Sequence, residues 1–394
     1  MTQEPKIFPY IECLLQGTEV VWKPLGEVAS LKRGRVISKE YLYENVGEYP
    51  VYSSQTVNNG EIGRIKTFDF EQEAITWTTD GANAGTVFYR EGCFSITNVC
   101  GLITIKNIQN LNYKYLYYWL SLEAKKHVYL GMGNPKLMSN QMEKIQIPLP
   151  PLSVQQEIVR ILDKFTQLEA ELEAELDCRK RQYEYYRNNL LSYEGNEVEW
   201  KTLGEVGEIR MCKRILKEQT SDYGEVPFYK IGTFGKEADA YISKELFNEY
   251  RAKYNYPNVG DILISASGTI GRTVIFDGKE AYFQDSNIVW IENDQKKVLN
   301  KYLFYYYQIA KWNISEGGTI LRLYNENLRK TLIPIPYPNN PKKSLEEQNR
   351  IVAILDKFDT LVNSISEGLP KEIALRRKQY EYYREKLLTF INNQ

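Results

Sequence analysis

Histidine is nearly missing from this chain of 394 residues, which holds one, His127. That scarcity removes His-based nucleophilic triads and histidine zinc sites, and His127, at the Lys125-Lys126 end of an expected helix, reads as a surface or helix-end residue. The five cysteines, Cys13, Cys93, Cys100, Cys178 and Cys212, are odd in number and lack metal-ligand spacing. They read as small core residues of a reduced, cytoplasmic protein. No apolar run approaches the length of a signal or membrane-spanning segment, so no membrane is expected. A phosphate-binding Walker loop is missing too, because Gly271 to Gly278-Lys279-Glu280 has the wrong spacing and no Ser or Thr after the lysine. Excess charge of one sign is also lacking: 50 Lys and Arg against 51 Asp and Glu leave a net −1, so any nucleic-acid surface has to be a local patch. Carboxylates are plentiful but form no recognisable acid/base or nuclease arrangement. No residue is nominated as catalytic or metal-ligating, and the chain reads as a binding protein.

What is present is repetition. Arg179-Lys180-Arg181-Gln182-Tyr183-Glu184-Tyr185-Tyr186-Arg187 returns as Arg376-Arg377-Lys378-Gln379-Tyr380-Glu381-Tyr382-Tyr383-Arg384, and the run from Ile158 to Phe165 returns from Ile351 to Phe358. Ile158, Phe165 and Leu172 with Ile161 and Leu168 make the seven-residue apolar seam of a coiled coil, and Ile351, Phe358 and Ile365 with Ile354 and Leu361 repeat it. Prolines precede each helix, and Ser153 with Gln156, like Ser344 with Glu347, reads as a capping box. Ser153 to Leu191 is 39 residues, roughly 58 Å of helix. Gly368-Leu369-Pro370 predicts a kink in the second helix.

Between the helices the echoes are weaker at the centre than at the ends. Trp22-Lys23-Pro24-Leu25-Gly26-Glu27-Val28 matches Trp200-Lys201-Thr202-Leu203-Gly204-Glu205-Val206, and Ile147-Pro148-Leu149-Pro150 matches Ile333-Pro334-Ile335-Pro336. Strands are expected over 73–78 and 261–265, and apolar helices over 113–120 and 302–307. The fold class is α+β, with two pseudo-repeated globular domains separated by two long helices. The domain plan is 1–18 as an N-terminal segment docking near the helix ends, 19–152 as the first globular domain, 153–194 as the central helix, 195–343 as the second globular domain and 344–394 as the C-terminal helix.

Candidate binding residues sit on expected loops. Lys32, Arg33 and Arg35 around Gly34, with Arg210, Lys213 and Arg214, place cations equivalently in both domains and read as phosphate contacts or as solvated charge. Thr78, Thr79 and Asn83, aligned with Ser265, Ser267, Thr269 and Arg272, bring the hydrogen-bonding side chains that base readout uses, as ordinary turns also do. Among the repeated tyrosines and arginines, Tyr183, Tyr186 and Arg187 with Tyr380, Tyr383 and Arg384 are nominated as partner-binding, since identical surfaces suit packing and a common partner.

On Pro-Leu-Pro-Pro-Leu-Ser-Val-Gln-Gln-Glu-Ile at 148–158 and Arg-Lys-Gln-Tyr-Glu-Tyr-Tyr-Arg-Glu-Lys-Leu-Leu at 377–388, the chain resembles the specificity (S) subunits of type I restriction-modification enzymes. The resemblance implies two DNA target recognition domains, each reading half of a bipartite, asymmetric sequence in double-stranded DNA, spaced by helices that form an antiparallel coiled coil. It implies two methyltransferase subunits and restriction (endonuclease/translocase) subunits as partners. It also implies no cofactor on this chain, with S-adenosylmethionine, ATP and Mg on the partner subunits. The absence here of a methyltransferase's cofactor-binding glycine loop and Asn/Asp-Pro-Pro-aromatic motif agrees. A duplicated-domain protein scaffold and a stand-alone DNA-binding regulator are the alternatives; a scaffold needs no cationic stripe.

Overall fold

The computed structural model describes residues 7–131, 133–193, 197–314 and 322–391. The expected domain boundary at 194/195 and residues 1–6 of the expected N-terminal segment lie outside the described residues. The chain divides into two compact units, Met1–Glu173 with Glu372–Gln394, and Ala174–Lys371.

Each unit pairs the strand that enters it with the strand that leaves it. Val21–Pro24 runs antiparallel to Gln146–Leu149, and Val198–Thr202 to Leu332–Pro336, with Trp22 opposite Pro148 and Trp200 opposite Pro334. A two-stranded ladder has free edges where a proline's missing N–H costs nothing, which is why such Pro-rich sequence can pair here. Between these ends lies a four-stranded antiparallel sheet of one topology. Its order is Ala29–Arg33, Cys100–Ile105, Ala74–Thr78, Val87–Arg90 in the first unit, and Gly207–Arg210, Ile288–Asn293, Ile262–Ser265, Thr273–Ile275 in the second. Every residue of Ala74–Thr78 and Ile262–Ser265 is buried, a continuous run, as an inner strand covered on both faces requires. A parallel pair is also shared: Val51 and Tyr52 lie beside Ser95 and Ile96, and Phe228 and Tyr229 beside Tyr282 and Phe283. Helices Tyr113–Glu123 and Asn300–Tyr307 pack on the sheets.

The helix Leu152–Ser192, here the central helix, gives its first part to the first unit and the rest to the second. Its opening turns bury Val154, Gln155, Ile158, Val159 and Leu162, a face broader than a two-position seam, against the first unit's core. Further along, the central helix meets the terminal helix Leu369–Leu387. Phe165 stacks on Tyr383 with ring centroids 5.5 Å apart, and Arg377 donates to Glu169 and Glu173 at 2.5 Å each. Partner numbers fall as positions along the central helix rise, so this pair is antiparallel. In the second unit Phe358, on the penultimate helix Pro341–Asn363, stacks on Tyr186 at 5.3 Å and on Tyr183 at 6.4 Å. One aromatic interlock is therefore built twice.

Each globular part is clamped to its helix by the same polar contacts. Asp163 accepts from Lys114 Nζ and the Tyr118 hydroxyl, both at 2.6 Å, and Asp356 accepts from Lys301 Nζ at 2.7 Å and the Tyr305 hydroxyl at 2.6 Å. The N-terminal helix Pro9–Leu15 buries Ile11 and Leu15 in a core that also holds Leu387, Leu388 and Phe390. Its Tyr10 hydroxyl donates to Glu157 at 2.6 Å, and Arg160 with Tyr10 holds the Glu157 carboxyl down to about 2.

Three sequence expectations are corrected. The penultimate helix begins at Pro341, with Asn340 as its cap accepting from Lys343 N–H at 3.1 Å, so Ser344 lies buried inside the helix rather than capping it. The central helix begins at Leu152, ahead of Ser153. Finally, the seam does not run through Ile365, which is 87% exposed in the break between Asn363 and Leu369. That break, sharper than the expected kink, needs Gly368: a Cβ there would fall 2.3 Å from the Thr360 carbonyl oxygen.

Candidate nucleic-acid interface

The first group of candidates closes the first strand of each four-stranded sheet. Arg33 ends Ala29–Arg33 and Arg210 ends Gly207–Arg210, so the two clusters do occupy equivalent places. Their charges are largely engaged. Arg35 Nε meets Asp69 at 3.0 Å, Arg210 meets Glu208 at 2.7 Å and Glu292 at 2.6 Å, and Arg214 meets Asp285 at 2.9 Å. Arg33 donates to Thr79 Oγ1 at 2.9 Å and to the Asn98 carbonyl at 3.0 Å. Lys213 lies 5.2 Å above the Tyr254 ring, and Lys32 is exposed. Exposed pairs of this kind are worth about 0–1 kcal/mol, so a DNA phosphate can displace such a carboxylate but gains less than from a free cation. Gly34 serves the protein's own backbone instead of a ligand's approach, since a Cβ there would lie 2.0 Å from the Ile96 carbonyl oxygen.

The second group divides by burial. Thr78, Thr79, Ser265 and Ser267 are buried, so in this conformation they do not offer themselves to a groove. Thr79 Oγ1 donates to the Val99 carbonyl at 3.0 Å and Ser267 Oγ to Asn287 Oδ1 at 2.8 Å, while Ser265 Oγ donates to the Thr269 carbonyl. Arg272 Nη1 donates to the Phe234 carbonyl at 3.0 Å, which makes it a brace between its own turn and the segment at Phe234. Asn83 and Thr269 are exposed. The alignment of the two segments is real, but most of their polar groups close turns.

On the helices most of the nominated residues face inward, Tyr186 being the exception at 41% exposed although one face of its ring is covered. Tyr183 is 5% exposed and packs on Phe358, Tyr186 and Tyr383 stack on Phe358 and Phe165, and Tyr380 lies 6.5 Å from Phe165. Arg187 donates to Gln308 at 2.9 Å and lies over the Tyr183 ring, and Arg384 over the Tyr380 ring. The repeated tyrosines that face outward most fully are Tyr185 and Tyr382, 62% and 53% exposed. Beside them Arg179 donates to Glu175 and Gln182, both at 2.7 Å, and Arg376 donates to Glu372 at 3.3 Å and Gln379 at 3.1 Å. The sequence held this distinction, because 183 and 186 share the face of Phe358's partners while 185 lies about 200° around the helix from 183.

The remaining chemistry is quiet. His127 is exposed and pairs with Glu123 at 3.0 Å. Of the cysteines, Cys100 and Cys212 are core residues whose thiols burial pushes up to about 12, whereas Cys13 and Cys178 are exposed rather than packed. Among the described residues no group of three or more His, Cys, Asp or Glu is placed to hold a metal ion, and no helix is long and apolar enough to cross a membrane.

Residues 18–177 and 196–375 match the family described as the type I restriction modification DNA specificity domain. The chain is 49% identical over 393 residues to a candidate type I restriction enzyme specificity subunit of Haemophilus influenzae, covering 97% of this chain and 98% of that one. It is 32% identical over 412 residues to the specificity subunit of a type I restriction enzyme of Escherichia coli, covering 97% of each. In fold it is similar to the S subunit of a type I restriction-modification system from M. genitalium, with a TM-score of 0.57, 16% identity and coverage of 95% of this chain and 98% of that one. A twofold match to the domain, together with relatives aligned end to end, sets aside the scaffold and regulator readings. The chain belongs to the specificity subunits of type I restriction-modification systems, the non-catalytic component that recognises DNA through two target recognition domains.

Proposed function

We propose that each unit reads one half of a bipartite target in double-stranded DNA, and that the duplicated helices hold two methyltransferase subunits in equivalent ways in the cytoplasm. In this reading S-adenosylmethionine, ATP and Mg belong to the methyltransferase and restriction (endonuclease/translocase) subunits. The observation that carries it is a frame kept while a surface changes. Both sheets share strand order and both units share their end pairing, yet equivalent strand ends read Thr78-Thr79-Asp80 in one and Ser265-Ala266-Ser267 in the other. Two readers of different half-sites need that combination, whereas a scaffold for one repeated partner would keep its globular surfaces alike. Mapping methylated bases genome-wide, with and without this chain beside its cognate methyltransferase, should return a motif in two parts. A single continuous motif would count against two readers.

The helix face around Tyr185 and Tyr382 is the proposed methyltransferase dock. Its arginines are held by the same two neighbours in both copies, so little side-chain freedom remains to be lost on binding. An exposed tyrosine in such a setting is the kind of anchor whose truncation costs on the order of 2 kcal/mol of binding. Tyr185→Ala or Tyr382→Ala alone should therefore leave a complex carrying one methyltransferase copy at limiting concentration, as read by native mass measurement. Two copies retained in both variants would remove this face from the interface.

A further inference from the structure

In each unit a returning segment lies against the end of the inner strand of the four-stranded sheet. In the first, Leu137 N–H donates to the Thr79 carbonyl at 3.0 Å, and Lys136 forms an antiparallel bridge with Asp80. In the second, Leu323 N–H donates to the Ala266 carbonyl at 2.8 Å, and Arg322 bridges Ser267. Thr78 and Ser265 end the equivalent strands, so Lys136 and Arg322 occupy one topological position in two domains whose interiors have otherwise diverged. Leu137 and Leu323 are buried beside them and fix that position. Both cations are exposed, and among the described residues neither forms an ion pair, unlike Arg35, Arg210 and Arg214.

Arg322 also stands on the wall of a cleft of about 550 Å³ that is shared with Gln284 and Asn287. Of the three acids on that wall, Asp239 pairs with Lys230 and Asp285 with Arg214, each at 2.9 Å, while the exposed Asp222 forms no ion pair among the described residues. Gln284 Oε1 accepts from Ile231 N–H at 3.0 Å, and Asn287 Oδ1 accepts from Ser267, so the amide oxygens are engaged, and among the described residues neither NH₂ group has an acceptor. A guanidinium and two amide donors around one concavity match the acceptor-rich N7 and O6 edge of a guanine in the major groove, the edge that arginine recognises.

We propose that Lys136 and Arg322 are the equivalent DNA-contacting cations of the two recognition domains, and that Arg322, beside Gln284 and Asn287, reads a base edge in the second domain's half-site. The proposal rests on the reading that each unit recognises DNA. It is tested on the assembled complex with the cognate methyltransferase, using Arg322→Ala, Arg322→Lys and Lys136→Ala. Arg322→Ala should relax one base position in one half of the methylated motif, with discrimination there falling roughly 5- to 150-fold. Arg322→Lys should not restore it, because an ammonium lacks the two-pronged geometry. Lys136→Ala should weaken binding to all sequences alike and lower the salt slope by about 0.9. An unchanged motif in Arg322→Ala, or full specificity in Arg322→Lys, would overturn the base-reading role, and an unchanged salt slope in Lys136→Ala would overturn the shared cation. If the native complex itself binds DNA without salt dependence, the underlying reading fails and this assignment falls with it.

Discussion

Exchange of residues 19–152 for the corresponding segment of a family member with another target changes one half of the methylated sequence and leaves the other half as it was. The reason lies in where the segment begins and ends. Val21 is the pairing partner of Leu149, so the chain enters and leaves the first domain side by side, and a segment cut just outside that ladder carries a closed sheet system with it. The second domain is closed in the same way by Val198 opposite Pro336. What the incoming segment has to reproduce is small: a lysine and a tyrosine to meet Asp163, as Lys114 and Tyr118 do, and a tryptophan like Trp22, whose Nε1 donates to the Ile391 carbonyl at 3.2 Å. Each mismatched base pair costs about 1–3 kcal/mol, so a half-site changed at three positions should lose roughly 10²- to 10⁶-fold in recognition. Methylome mapping of the exchanged chain decides it. A change in both halves, or in neither, would show that the domains are not independent readers.

The frame was legible because its signals are short and local. Trp22 and Trp200, and Pro148 and Pro334, belong to the clear echoes at the domain ends and Pro50-Val51-Tyr52 with Pro227-Phe228-Tyr229 is a weaker one between them, yet each pair lands on the same strand position in its unit, since register permits no slip by one residue without turning every side chain over. The candidate site was less legible for a physical reason. Sequence shows polarity but not burial or distant partners: Arg35 is paired with Asp69 and Arg214 with Asp285, 34 and 71 residues away, and Thr78 and Thr79 sit at the covered end of an inner strand. Lys136 and Arg322 do carry a sequence signal, each standing eleven residues before the matching Ile147-Pro148 and Ile333-Pro334, but nothing in it separates them from other exposed cations. Leu137 and Leu323, one residue on from each, and Lys144 and Lys330 keep the same spacing.

Gln348 gives the second large effect. The Ser344-to-Glu347 pattern reads as a capping box from the sequence, but the residue that matters is one further on. Gln348 is 0% exposed, accepts from Leu299 N–H at 2.9 Å, and donates to the Lys297 carbonyl at 3.0 Å and to Ser344 Oγ at 3.1 Å. Leu299 is the cap position of helix Asn300–Tyr307 and has no side-chain cap of its own, so a glutamine from another helix supplies the missing acceptor. Gln155 does the same in the first unit, accepting from Asn112 N–H and donating to the Asn110 and Pro150 carbonyls, all at 2.9 Å. Leucine in either place fits the volume but strands a part-buried N–H together with the Lys297 carbonyl in one case and the Asn110 and Pro150 carbonyls in the other, at about 1–3 kcal/mol for each group that water does not reach. Gln348→Leu should therefore cost about 2–4 kcal/mol and lower the thermal midpoint of the second unit by roughly 5–15 °C, with Gln155→Leu doing the same to the first. Asn349→Ala, next to it but exposed and bonded only to its own helix, should stay within about 0.5 kcal/mol of the native chain. The loss should also reach function, because Lys301 and Tyr305, which grip Asp356, ride on the helix that Leu299 begins. Calorimetry of the three variants settles the point: a Gln348→Leu chain that melts with the native one would mean that the buried amide is not what ties the globular part to its helix.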